Sequence, residues 1–186
     1  LVVVMCHQGD QATAERELAP LRSAGTVLMD TVAPMPYPVV DTLLDDGFPR
    51  GARNYWKSGF VESVDRDLAA TMVEALRSSP STMSGVLLEH YHGAATRIPA
   101  TATAYPHREP GFNMVIAGEW LSPADDDANR RWVRALFGAL APHLADAYYV
   151  NYLDADDLQR TRAAYGPNWD RLVELKRRYD PDNAFH

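Results

Sequence analysis

Two hydrophobic periods alternate along this chain, one of two residues and one near 3.6. Leu1–Cys6 is an unbroken apolar, β-rich run and predicts a buried strand. Asp10–Ser23 carries Ala14, Leu18 and Leu21 near helical spacing, with Gly25 just beyond, and predicts an amphipathic helix. Val27–Val32 predicts a second strand, and the prolines of Ala33–Pro38 impose an extended loop. Val39–Leu44 predicts a short helix, and Gly47–Gly51, with Pro49, a turn. Strands follow at Asn54–Val61, Ser84–Tyr91, Ala102–Tyr105 and Phe112–Trp120, the last two joined across a turn at His107–Gly111.

Helical spacing governs Ser63–Ser78, opened by Ser63 and carrying Leu68, Met72, Val73 and Leu76. It also governs Ser122–His143, which starts with Ser-Pro and sets Trp132, Leu136 and Leu140 on one stripe. Tyr148–Tyr152 predicts a short strand. Ala155–Tyr165 and Asn168–Tyr179 predict helices, the second stopped by Asp180-Pro181. Many strands lie too close in sequence for parallel crossovers. The pattern therefore predicts an α+β fold, an antiparallel sheet flanked by helices with a helical C-terminal tail. The compositional seam near Tyr152 divides a domain over 1–147 from a segment over 148–186.

Composition narrows the functions. The chain has 186 residues, 46% of them hydrophobic and 23% charged, enough for a real core. Its net charge is −7, without a clustered basic face, so no nucleic-acid partner is expected. No apolar run approaches the ~20 residues of a membrane helix, and no membrane partner is expected. Cys6 cannot pair internally and is expected as a buried free thiol. A chain that opens inside a strand, without an initiator Met, reads as a piece of something longer. Leu1–Cys6 is too short, and lacks the basic start, to read as a signal peptide, and a fragment offers no N-terminus to inspect, so location is unknown, with the cytoplasm as default.

Candidate chemistry is sparse. No phosphate-binding glycine loop is present. His90 and His92 share one strand face but lack a third ligand at a typical spacing, and no metal is expected. Asp125-Asp126-Asp127 reads as the negative first turn of a helix, and Glu15–Glu17 and Lys176–Arg178 as solvated helix faces. His107 and Arg108 stand at a turn, where side chains either serve a site or decorate a hairpin tip. Tyr149, Asn151 and Tyr152 place two phenols and an amide within four residues. A phenol near its ordinary pKa of about 10 acts as a base only where a positive or hydrogen-bonding group stabilises its anion.

Read together, Tyr149-Val150-Asn151-Tyr152, Tyr165-Gly166-Pro167-Asn168, Arg171-Leu172, Leu175-Lys176 and Tyr179-Asp180-Pro181-Asp182-Asn183-Ala184-Phe185 resemble the C-terminus of the berberine bridge enzyme-like FAD-linked oxidases, in the vanillyl-alcohol oxidase superfamily. Upstream, Asn54–Ser58, Gly93–Ala95 and Ala102–Arg108 resemble segments of that family in the same order.

The resemblance implies a substrate-binding α+β domain over 1–147 and a berberine-bridge-type segment over 148–186. FAD would be bound mainly by an N-terminal domain absent from this chain. It implies a small-molecule substrate, an alcohol or activated C–H oxidised by hydride transfer to flavin. Tyr152 is then the candidate base, Tyr149 its partner, and Asn151 a contact to the flavin edge. Some relatives carry a carboxylate base on the strand after the His-Arg turn. This chain has Asn113 there, which cannot take a proton at neutral pH but can orient a substrate hydroxyl, with His107 also in the substrate site. Tyr149 and Tyr152 would face opposite sides of a regular strand, so both reach one pocket only if the strand ends or bulges between them. The isolated chain is expected to be inactive, and the apolar surface where an FAD domain docks offers a route to homodimers. The alternative is a stand-alone binding module without flavin.

Overall fold

The computed structural model describes residues 1–185, the side chain of Ala155 apart. It divides into two compact units, Leu1–Arg50 and Gly51–His186.

In the first unit, α1 (Gln11–Arg22) begins where the Asp10 carboxylate accepts from the Thr13 N–H at 2.9 Å. A helical turn at Tyr37–Val40, α2, follows with Pro38 in its first turn, and Asp45–Gly47 forms a 3-10 turn. The predicted strands at Leu1–Cys6 and Val27–Val32 do not form. Both runs have β-prone side chains, but a strand needs a neighbour to take its backbone groups. Neither run pairs, and Leu1, Val2, Leu28 and Met29 lie in solvent. Cys6 is exposed, not buried, for the same reason.

The second unit is built on β1 (Arg53–Val61), β2 (Gly85–Tyr91) and β3 (Gly111–Trp120), in the order β1-β3-β2, all antiparallel. β3 is the central strand, and its burial on both faces accounts for its nearly continuous apolar sequence. Alternation sorts its side chains. Met114, Ile116 and Trp120 join Tyr55 and Val61 of β1 in the core. Against them pack Leu68 and Met72 of α3 (Arg66–Arg77) and Val133, Leu136 and Leu140 of α4 (Asp126–Leu140). The α3 cap is Asp65, whose carboxylate accepts from the Leu68 N–H at 2.8 Å, and not Ser63. Trp120 Nε1 donates to Asp126 at 2.7 Å, and Arg53 pairs with the same carboxylate at 2.5 Å. The middle aspartate of the acidic triplet thus fastens α4 to both β1 and β3.

Ala102–Tyr105 forms bends rather than a strand, so the expected hairpin across His107–Gly111 is absent and both partners of β3 come from elsewhere in the chain. The loop is held by Asn168, whose Nδ2 donates to the Ala100 and Thr103 carbonyls at 2.8 and 3.0 Å. Tyr148–Tyr152 is not a strand either. Val150–Tyr152 is a 3-10 turn, with Tyr152 N–H bonded to the Tyr149 carbonyl at 3.0 Å. After it come a 3-10 stretch at Ala155–Arg160, α5 (Thr161–Tyr165) and α6 (Trp169–Tyr179). Among the described residues no helix is long and apolar enough to cross a membrane.

Candidate active site

The face of the sheet opposite the core helices carries polar groups at one end. Asn113 of β3 stands directly across from Glu89 of β2 on one side and from Phe60 of β1 on the other. Residues directly opposed across antiparallel strands bring their side chains together. Asn113 Nδ2 accordingly donates to Glu89 Oε2 at 2.7 Å. A cavity of about 300 Å³ opens here, lined by Glu89, Tyr91, Tyr105, Asn113 and Tyr149. That volume is at the small end of the roughly 300–1,000 Å³ typical of small-molecule sites.

The 3-10 turn at Val150–Tyr152 brings two tyrosines three apart together. In a tight turn positions i and i+3 lie on one side. The Tyr149 and Tyr152 rings meet edge to face, 5.2 Å apart at 90°. Tyr105 meets Tyr149 in the same way at 5.7 Å, and Tyr91 meets Tyr105 at 5.9 Å. Tyr152 also packs edge-on to Trp56 of β1, with centroids 6.2 Å apart. The result is a run of four phenols, Tyr91, Tyr105 and Tyr149 lining the cavity and Tyr152 packed behind Tyr149, each ring edge set against a neighbour's face, an arrangement aromatic quadrupoles favour.

Tyr152 Oη donates to Glu89 Oε1 at 2.7 Å. Glu89 therefore accepts two side-chain hydrogen bonds, one per oxygen. Burial, and then the hydrogen bond to and charge of Glu89, push the Tyr152 phenol well above its ordinary 10.0. Burial, with Tyr91 beside it, does the same to Tyr105. The group next to the Tyr152 hydroxyl is thus an anion, the reverse of what a standing tyrosinate requires.

The remaining candidates fall around this pair. Asn151 is exposed and donates through Nδ2 to Tyr149 Oη at 2.8 Å. His107 lies behind Tyr105, its ring 5.4 Å from the phenol and 4.9 Å from Phe60. Its Nε2 donates to the Ala164 carbonyl of α5 at 3.0 Å, and burial lowers its pKa, so it sits as a neutral donor tying the loop to the C-terminal segment. Arg108 lies over the Tyr105 ring at 5.0 Å and donates to Tyr91 Oη at 3.3 Å. His90 and His92 stack at 5.9 Å, and among the described residues no cluster of three metal-ligating side chains exists.

Sequence reading did not reach Glu89, Tyr91 or Tyr105. Glu89 follows the apolar run Val86-Leu87-Leu88 and reads as an ordinary solvent-facing strand position. The signal lies in the register that sets it opposite Asn113, and register is a property of the paired strands.

The chain as a whole is similar to known proteins. The family described as berberine and berberine-like matches residues 148–186. An uncharacterised FAD-linked oxidoreductase of Bacillus subtilis, YvdP, is 28% identical over 97% of this chain, which covers 42% of that protein. The crystal structure of aclacinomycin oxidoreductase superposes with a TM-score of 0.63 at 26% identity, over 72% of this chain and 31% of that one. The structure of a berberine bridge enzyme-like protein, number 28, from Arabidopsis thaliana superposes at 0.64 with 18% identity, over 72% of this chain and 32% of that one, a likeness of fold. The chain spans about two-fifths of the length of the first curated relatives it matches, 40–42% of each.

Proposed function

We propose that this chain, which is a C-terminal part of a berberine bridge enzyme-like FAD-linked oxidoreductase, forms the substrate side of a flavoenzyme that oxidises an alcohol or a similarly activated C–H. The observation that carries the reading is the convergence of Tyr149, Glu89 and Asn113 on one aromatic cavity, with Tyr152 joined to two of its walls, by a hydrogen bond to Glu89 and a ring contact to Tyr149. A site that must strip a proton from a hydroxyl needs an oxygen that can both give and take one, and Tyr152 is such an oxygen.

The residues present fit a flavin ring. The Asn113 Oδ1 is buried, without a partner among the described residues, on the wall of a cavity otherwise lined by Glu89 and three phenol rings. An orphan acceptor of this kind suits a hydroxyl or ring N–H brought in by a bound molecule. When bound, held mainly by a further FAD-binding domain, flavin supplies the two-electron acceptor. Asn151, exposed beside Tyr149, is the residue of this chain that would meet it. Asn113 orients the substrate hydroxyl, and Tyr152 takes its proton. Tyr149, fixed from below by Asn151, holds the ring of Tyr152 in place. His107 supports the substrate wall through Tyr105. We assign residues 1–147 to the substrate-binding part and 148–186 to the segment that completes the site.

The test is anaerobic rapid mixing of the full-length flavoprotein with a panel of hydroxylated compounds, from hexoses to benzylic alcohols. Substrate-dependent loss of the oxidised flavin band is expected, slowed by roughly 10²–10⁴-fold in Tyr152→Phe, the usual range for a lost proton-transfer group. A Tyr152→Phe protein whose flavin is reduced at the parent rate overturns the reading.

A further inference from the structure

The proposed reaction leaves one proton without a destination. Tyr152 already carries its own hydroxyl proton, held firmly by burial and by the carboxylate beside it. It can accept a substrate proton only by releasing that one, and its hydrogen bond shows in which direction. We propose that Glu89 is the proton terminus of the site, receiving the Tyr152 hydroxyl proton as Tyr152 takes the proton of a substrate hydroxyl. This rests on the alcohol-oxidation reading above.

Three observations carry it. The Tyr152 hydroxyl donates to Glu89 Oε1 at 2.7 Å, a distance suited to direct transfer. Asn113 donates to the other oxygen, Oε2, at 2.7 Å. That bond fixes the carboxylate plane and keeps Oε1 turned to Tyr152, because each carboxylate oxygen is engaged by a different donor. Finally, Glu89 lines the cavity itself, so the carboxylate lies beside the reacting group and not in a remote network. The amide at position 113 removes a carboxylate from the central strand, and the register of the sheet supplies one from the adjacent strand, directly opposite.

The step balances. The substrate O–H bond breaks and a new Tyr152 O–H bond forms. The former Tyr152 O–H bond breaks and a Glu89 Oε1–H bond forms. The electron pair of the carbinol C–H bond would pass with its hydrogen, as hydride, to the two-electron acceptor that a bound flavin supplies, the carbon–oxygen bond would become a carbonyl, and neutral Glu89 would later lose its proton to water. The alcohol is oxidised by two electrons, and Tyr152 ends as it began.

Two measurements on the full-length flavoprotein test this. The first is flavin reduction by substrate as a function of pH. The parent protein should lose rate towards acid as a carboxylate protonates. Glu89→Gln should be roughly 10²-fold slower near neutral pH and lose that acid limb, and Glu89→Asp should restore part of both. The second needs no turnover. Tyrosines are labelled at 13Cζ and titrated by NMR, with Tyr152 identified by its absence in Tyr152→Phe. In Glu89→Gln the Tyr152 signal should titrate at lower pH than in the parent, because the anion that restrains its ionisation is gone.

An unshifted Tyr152 titration, or an unchanged acid limb in Glu89→Gln while Tyr152→Phe is slow, overturns the role of Glu89 and leaves alcohol oxidation standing. A protein whose flavin no hydroxylated compound reduces overturns the alcohol reading itself, whatever the titration shows.

Discussion

Lys57 of β1 and Asp157 of the C-terminal segment form an ion pair of 2.6 Å, with side chains only 7% and 5% exposed. Lys57 also bonds Asp156, whose carboxylate accepts from Tyr55 Oη at 2.5 Å and from Arg134 of α4 at 3.2 Å. Arg160 closes the group on Asp157 at 2.8 Å. The segment after Tyr152 is thereby clasped to β1 on the core-helix side, while Tyr152 packs on Trp56 on the other. Lys57→Met leaves Asp157 ion-paired to Arg160 and takes a charge-assisted hydrogen bond from each aspartate, so it should lower unfolding free energy by about 1.5–3 kcal/mol, while Lys57→Met with Asp157→Leu should cost less than the single change. Denaturant unfolding of the three proteins checks this.

The same clasp sets an acid limit. Burial disfavours the Asp156 charge, but hydrogen bonds from Lys57, Tyr55 and Arg134 outweigh it and hold the carboxyl well below its ordinary 3.8. A carboxylate with a depressed folded pKa contributes stability that is complete above its unfolded value and is lost as pH falls below it. Asp156→Asn should therefore be less stable than the parent at pH 6, and the gap should narrow as pH falls below about 4. Thermal melts across that window give the answer.

His107 acts in the opposite sense to a histidine that gains an anionic partner on folding. Burial lowers its pKa from 6.5 despite the backbone carbonyls that favour its charged form. The folded state then binds fewer protons than the unfolded one, so stability from this group is full above about pH 6.5 and falls as pH drops through that value. His107→Phe, which keeps the packing against Phe60 and Tyr105, should lose this pH dependence between about pH 7 and 5. A Tm-against-pH slope matching the parent's would refute it.

Gly118 shows how closely the sheet and α4 approach. A Cβ there would lie 2.5 Å from Val133 Cγ2 and 2.9 Å from the Tyr55 carbonyl, and the second of these is backbone. Gly118→Ala should destabilise by about 1–3 kcal/mol through overpacking, read as a lower denaturant midpoint with an unchanged m-value.

The elements that sequence reading placed well are those whose pattern and partner agree. β1, β3 and α4 carry strong periodicity and meet one another in the core, so propensity and packing agree. Leu1–Cys6 and Val27–Val32 had the composition of strands, yet strand formation depends on a pairing partner that no local pattern encodes. Tyr148–Tyr152 failed for a related reason. Its β-prone residues enter a 3-10 turn in which the Tyr149 and Tyr152 rings pack on each other, tertiary packing that overrides propensity. The crowding of phenols in the tail was legible. The hydrogen bonds that join Glu89 to Asn113 and Tyr152 were not, since the first is set by the register of the strand opposite and the second by a residue 63 positions away.

Asn113→Asp tests that cross-strand relation most directly. The substitution changes an amide that donates to Glu89 Oε2 into a second acid within hydrogen-bond distance. Two carboxyls so placed share a proton, because both cannot ionise without strong repulsion, and one of them holds it to higher pH than a lone carboxylate would. The pair's acid–base behaviour then belongs to both residues. In the full-length flavoprotein proposed above, the acid limb of substrate-driven flavin reduction should move to higher pH in Asn113→Asp. It should vanish again when Glu89→Gln is added, because the remaining acid at position 113 is not the one bonded to Tyr152. An acid limb that persists in the double variant would place the accepting carboxylate on β3 rather than on β2, and would return the role to the strand where an amide now stands.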